Sequence, residues 1–128
     1  DIKEPESYEG IFEQLDVMDY DRFFDLAKKY EVDTIIHLAS LLSATGEQNP
    51  QFAWKLNMGG LTNGLEIARE LKLQFFTPSS IACFGPNTPP DNTPQDTIQR
   101  PTTMYGITKV AGELLCDFIQ NFTRWWNN

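Results

Sequence analysis

Two short apolar runs, Thr34-Ile35-Ile36-His37-Leu38-Ala39 and Leu73-Gln74-Phe75-Phe76-Thr77, flank one long helical pattern, and this arrangement limits the fold more than any other feature of the chain. The first run is rich in β-branched residues and free of charge, the pattern of a strand covered on both faces in a parallel sheet. Asn49-Pro50 starts the intervening helix. Asn can accept from the free first-turn amides, and Pro at the first helical position gives up an N–H that had no partner. Phe52, Leu56, Leu61, Leu65 and Ala68 then form one apolar stripe, to about Leu71. Parallel neighbours need a crossover of this kind, so strand, helix and strand between about 34 and 77 place the chain in the α/β class, with the first strand central. Gly59, Gly60 and Gly64 each cost such a helix about 1 kcal/mol relative to Ala. Their presence points to close approach by a neighbouring element.

The flanks follow the same logic. Phe12 to Val17 contains a short alternation that reads as a strand. Asp19 then caps a helix from Tyr20 to Tyr30, with Phe23, Leu26, Ala27 and Tyr30 at helical spacing and Lys28 and Lys29 in the last turn, where cations suit the dipole. Five of the eight prolines fall between residues 85 and 101, so this stretch is a loop, and loops of such length usually carry function. Thr102 or Thr103 caps a last helix, in which Met104, Ile107, Ala111, Leu114, Leu115, Phe118 and Phe122 recur at three and four. The tail from Thr123 to Asn128 continues no period.

A chain of 128 residues allows one domain, and 41% hydrophobic residues, nine of them Phe, are enough for a real core. Ten Lys and Arg against 18 Asp and Glu give a net charge of −8, which opposes a nucleic-acid partner. No apolar run approaches the roughly 20 residues of a membrane span, and no signal peptide opens the chain, so the expected compartment is the cytoplasm. Cys83, Cys116 and the lone His37 offer neither a disulfide framework nor a metal site.

Tyr105-Gly106-Ile107-Thr108-Lys109 puts a phenol and an ammonium at i and i+4, on one helix face away from the apolar stripe. A nearby cation favours the phenolate and moves a tyrosine toward service as a general base, and the same lysine can hold ribose hydroxyls. Chance supplies about 0.2 such pairs in a chain of this composition, so the pair alone would read as a solvated helix face. Ser80, in Pro78-Ser79-Ser80-Ile81, gives it weight by lying just past the C-terminal end of a buried strand, where open α/β sheets bind ligands. Ser79 and Ser80 also suit a turn.

Ser80, Tyr105 and Lys109 together resemble the catalytic set of the extended short-chain dehydrogenase/reductase family, a Ser or Thr after one strand and a Tyr-x-x-x-Lys on the next helix. The resemblance narrows through His37-Leu38-Ala39-Ser40-Leu41-Leu42-Ser43-Ala44-Thr45, Asn49-Pro50, Leu56-Asn57-Met58, Pro78-Ser79-Ser80-Ile81 and Arg100-Pro101-Thr102-Thr103-Met104-Tyr105-Gly106. These motifs are similar to those of the family's NAD-dependent L-threonine 3-dehydrogenases, and the similarity runs from residue 1 to about Phe122. Several separated motifs agree in order and spacing, where each alone would be a weak match.

The resemblance implies an NAD cofactor. Asp1 takes the place of the acidic residue that accepts hydrogen bonds from the adenosine ribose, where a 2′-phosphate would be repelled. Asp16 and Val17 match the pair that contacts adenine, and Leu38, Ala39 and Ser40 match the loop passing the ribose and pyrophosphate. Asn57 matches an asparagine near the active site, and Tyr105 and Lys109 also face the cofactor. Ser43, Ser79, Ser80 and Tyr105 match positions that meet the substrate. The implied reaction passes hydride from the carbinol carbon of L-threonine to the nicotinamide, with Tyr105 taking the hydroxyl proton, Ser80 holding the hydroxyl, and Lys109 supporting Tyr105.

The family opens with a strand and a Gly-rich turn at a helix N-terminus, and neither is found here. The expected architecture is therefore an incomplete Rossmann-type doubly wound parallel sheet lacking its first strand and Gly-rich turn. In that order the strands at 12–17 and 34–39 stand about 14 Å apart with nothing between them. The expectation is a central fragment of a dinucleotide-binding domain, spanning 1–128, that binds NAD poorly by itself. Two other readings stand beside this one: a sugar-nucleotide epimerase or dehydratase of the same family, and a non-catalytic module. Family members form homodimers through the helices corresponding to 50–71 and 103–122, and those helices would be the pairing surface in either case.

Overall fold

In the computed structural model, which describes residues 1–126 with side chains as far as Asn121, the first helix α1 (Tyr20–Lys29) opens on Asp19, whose side chain accepts from the Arg22 amide at 3.1 Å. The apolar role expected of Phe122, and the last two residues of the tail, lie outside the described residues. Strand β1 (Thr34–Ile36) leads through a short helix α2 (Ser43–Gln48) to the long helix α3 (Pro50–Leu71), then to β2 (Gln74–Phe76), a 3₁₀ turn (Ile81–Cys83) and helix α4 (Met104–Trp126). As the Asn-Pro pair predicts, Asn49 caps α3 by accepting from the Phe52 amide at 3.2 Å. Thr103 performs the same service for α4, its hydroxyl accepting from Gly106 N at 3.0 Å. The strands pair in parallel, Thr34 with Gln74, Ile35 with Phe75 and Ile36 with Phe76, so the α/β class holds.

The core lies between this pair and the helices: Ala27, Ile35, Ile67 and Ala68 are buried, with Phe23, Phe24, Leu71 and Phe75 packed against them. Two of the three glycines of α3 meet the close approach their presence implied. A Cβ on Gly64 would sit 2.9 Å from Phe75 Cε2, and one on Gly60 would sit 3.2 Å from Val17 Cβ. Gly59 faces only Met18 Cγ at 3.9 Å, ordinary contact, and has no such reason.

Several expectations need correction. Residues 12–17 form no strand: one backbone bond, from Leu15 N to Asp1 O at 2.9 Å, ties them to another segment, and a ladder needs a run of such bonds. The first sheet strand is shorter than 34–39 and is covered on one face only, since Ile35 is buried while Ile36 and Leu38 stay more than 60% exposed. Among the described residues it pairs with one strand, β2. The Ser43–Gln48 segment, for which the sequence pattern predicts no element, is helical, and the last helix runs on from 122 to Trp126. Among the described residues, no helix is long and apolar enough to cross a membrane.

Candidate functional site

Both strands end at the same side of the sheet, and the chain leaving them, Leu38–Ser40 and Thr77–Ser79, meets α3 and α4 around a cleft of about 300 Å³. That is the lower end of the range for small-molecule sites. Its charged groups come from α4. Lys109 extends into the cleft, where its Nζ donates to the Pro78 carbonyl at 2.8 Å and lies 5.5 Å from the centroid of the Tyr105 ring, one turn earlier. Burial pulls the Lys109 ammonium below the ordinary lysine range. The Tyr105 amide donates to Glu47 Oε1 at 3.2 Å, so α2 sets a carboxylate at the positive end of α4.

Asn57 joins three elements. Its Oδ1 accepts from Leu41 N at 2.7 Å, while Nδ2 donates to Leu41 O and to Thr108 Oγ1, each at 3.2 Å. Thr108 in turn donates to the Tyr105 carbonyl at 2.8 Å. Replacing Asn57 with Ala strands a part-buried amide at Leu41 and frees the loop that follows β1. We expect Asn57→Ala to lose about 2 kcal/mol of unfolding free energy in urea titration, a buried amide's usual cost when its partner is removed.

Ser80 caps the 3₁₀ turn, its Oγ accepting from Ala82 N at 3.2 Å, a bond that uses a lone pair and not the hydroxyl proton. Ser79 turns toward α4 and donates to Glu113 Oε1. Deeper in the cleft His37 is buried, stacked on Phe75 at 6.0 Å, and its Nε2 has no partner among the described residues. Burial, helped by the nearby Lys109 charge, pushes this imidazole below the usual histidine value and so favours its neutral form.

Of the residues singled out from sequence, Leu38, Ala39, Ser40, Asn57, Ser79 and Lys109 line the cleft. Ser80, next to Ser79 in the chain, and Tyr105, one turn before Lys109, are not among the residues that line it. Ser43 opens α2, half-buried and outside the lining. Asp1, Asp16 and Val17 also lie outside it. Exposed Asp1 accepts from Lys3 N at 3.2 Å, exposed Asp16 accepts from Met18 N at 2.9 Å, and Val17 rests on Gly60. Sequence reasoning missed Thr108, the unpartnered His37 Nε2 and Glu113. The last was within reach, because residues 105, 109 and 113 recur at four and share a helix face.

A dinucleotide finds part of its needs here. An ammonium has three protons to donate and Lys109 spends one on Pro78, leaving donors for ribose hydroxyls at the mouth of the strands. Exposed Leu38 and Ala39 offer apolar surface beside it. The residues present thus suit the ribose and nicotinamide end, whereas the glycine turn that cradles a pyrophosphate is not among these 128 residues.

The model of a family described as NAD dependent epimerase/dehydratase matches residues 2–122. An uncharacterized epimerase/dehydratase from Staphylococcus saprophyticus is 63% identical over 122 residues, covering 92% of this chain and 38% of that protein. Among solved structures, the L-threonine dehydrogenase from Clostridium difficile is 64% identical with a TM-score of 0.90, covering 94% of this chain and 39% of its own. A monomeric L-threonine 3-dehydrogenase from a metagenome is 44% identical with a TM-score of 0.86, over 90% and 37%. The chain therefore spans about two fifths of the length of the relatives it matches.

Proposed function

Because the chain belongs to the NAD dependent epimerase/dehydratase family, whose cofactor is NAD, we propose that the protein carrying it oxidises the hydroxyl of L-threonine to 2-amino-3-oxobutyrate. The observation that carries this reading is the Lys109 ammonium, fixed on the Pro78 carbonyl beside the Tyr105 ring where two parallel strands end. The 64% identity to an L-threonine dehydrogenase supports the choice of substrate. NAD, when bound, supplies the hydride acceptor. Ser80 holds the substrate hydroxyl, Tyr105 takes its proton, and Lys109 supports the anion that does so and bonds the nicotinamide ribose. Asp1 accepts from the adenosine ribose, Asp16 and Val17 contact the adenine, Leu38, Ala39 and Ser40 pass along the cofactor, and Asn57 holds that loop to α4. Ser43 and Ser79 meet the amino acid.

The direct test supplies the intact protein with NAD and either L-threonine or a UDP-hexose. Absorbance of NADH should appear with threonine, and the sugar should be recovered unchanged. Conversion of the sugar without oxidation of threonine overturns the reading in favour of the epimerase or dehydratase alternative. Pairing of two copies through α3 and α4 belongs to the same proposal, supported by the exposed Phe52, Trp54, Ile107, Leu114 and Phe118. The metagenomic relative is a monomer, so sedimentation of the intact protein decides that part separately.

A further inference from the structure

Past Lys109, α4 presents two more charged groups to the cleft, Glu113 and Asp117, and the bonds of Glu113 reach three other segments. Glu113 Oε1 accepts from the Ser79 hydroxyl, at the end of the chain leaving β2. The same oxygen accepts from Cys83 Sγ at 3.3 Å, at the close of the 3₁₀ turn. Glu113 Oε2 accepts from Gln99 Nε2 at 2.9 Å, near the end of the proline-rich loop. Cys83 is almost wholly buried and lies 3.2 Å from Ser79 Oγ, so the partners also touch one another. Ser80 sits between the two tethered positions, 79 and 83, and has no bond of its own to α4 among the described residues.

We infer that Glu113 is a positioning residue: by fastening Ser79, Cys83 and Gln99 to α4 it sets the Ser80 hydroxyl relative to Tyr105 and Lys109 on that same helix. The chemistry of the site demands such a device. Ser80 belongs to a short turn whose only internal stiffness is one cap bond and a few backbone bonds, while Tyr105 and Lys109 are rigidly spaced by a helix. A hydroxyl misplaced by 1 Å costs an active site about a hundredfold in rate. A carboxylate suits the post because it only accepts and has lone pairs for all three donors. Burial pushes the Glu113 carboxyl up, but the bonds from Ser79, Gln99 and Cys83 together outweigh it and hold it below the ordinary value, so it stays ionised at neutral pH.

This role rests on the function proposed above, and the test separates the two. In the intact protein, Glu113→Ala should lower kcat for threonine oxidation about a hundredfold with KM for NAD changed less than threefold, and should speed deuterium uptake across residues 79–84. Glu113→Gln still accepts from Ser79 and Cys83 while Gln99 turns its amide over to accept, and should keep kcat within about fivefold of the wild type. In a Ser80→Ala background, Glu113→Ala should change kcat less than about threefold, because the hydroxyl it places is gone. Losses that multiply in the double variant, or a folded Glu113→Ala with undiminished kcat, overturn the positioning role and leave the threonine reading intact. A Ser80→Ala protein as active as the wild type brings down the proposed function and this role with it. Should Glu113→Ala fail to fold, Gln99→Leu removes one tether and carries the same comparison, with a loss of about threefold alone and none over Ser80→Ala.

Discussion

Tyr105→Phe in the intact protein should fold like the wild type and lose about a thousandfold in kcat for threonine oxidation, within the range that a positioned general base supplies. Only one oxygen is removed. The ring keeps its place above Lys109, Lys109 keeps Pro78, and the Tyr105 amide keeps Glu47, because none of these contacts uses the phenolic hydroxyl. Thermal midpoints should therefore agree within a degree or two, and NAD affinity by calorimetry should stay within about threefold. A variant that oxidises threonine at the wild-type rate ends the assignment of Tyr105 as the base. An assembly role for the helix predicts that outcome, since a phenol and a phenyl pack almost alike.

The second large effect concerns structure. Gly106 is buried where the first turn of α4 lies against the 3₁₀ turn, and a Cβ there would run into the Ala82 carbonyl oxygen, with Ala82 C at 3.0 Å and Pro101 Cβ at 2.7 Å. The obstacles are backbone and a rigid ring, so no side chain can swing away and the two segments must part. Gly106→Ala should lose about 3 kcal/mol in urea unfolding, the upper part of the range for overpacking. It should also reduce turnover, because the segment displaced carries Ser80. Gly59→Ala is the control: only Met18 Cγ lies near, at 3.9 Å, and helix propensity alone predicts a gain of up to about 1 kcal/mol. Equal stability of the two variants would show that the close packing at Gly106 does not bear on folding.

The parts of the fold legible in the chain are those that local chemistry decides. Asn49-Pro50, Asp19 and Thr103 mark helix starts because a short side chain satisfies amides within three residues of itself, a matter that needs no distant partner. The strand pair was legible because an uncharged β-branched run at 34–39 and a short apolar run at 73–77, set either side of one helix, have few other uses. What failed was whatever depends on neighbours. The alternation at 12–17 describes a strand only if a ladder exists beside it, and one bond to Asp1 is no ladder. The helical turn at Ser43–Gln48 lacks a side-chain cap and has no apolar period, so nothing in it announces a helix.

In the site, the i and i+4 pair of Tyr105 and Lys109 was visible because a helix converts spacing directly into proximity. Glu113 extends that pair by one further turn and could have been read in the same way. Its partners could not, since Ser79, Cys83 and Gln99 reach it only after a turn and a proline-rich loop have folded back. Nor could the orphaned His37 nitrogen be foreseen from an apolar run in which the ring looks like one more buried side chain.

Tyr105, Lys109 and Glu113 ride on a single rod, spread over about 12 Å of its axis. When that rod rocks against the sheet, phenol, ammonium and carboxylate are carried along as one body, and the serine segment, leashed to the carboxylate, is drawn after them. Thermal jitter of the helix then cancels as a common-mode error among the four groups, and what survives is only the play in the two hydrogen bonds from Ser79 and Cys83.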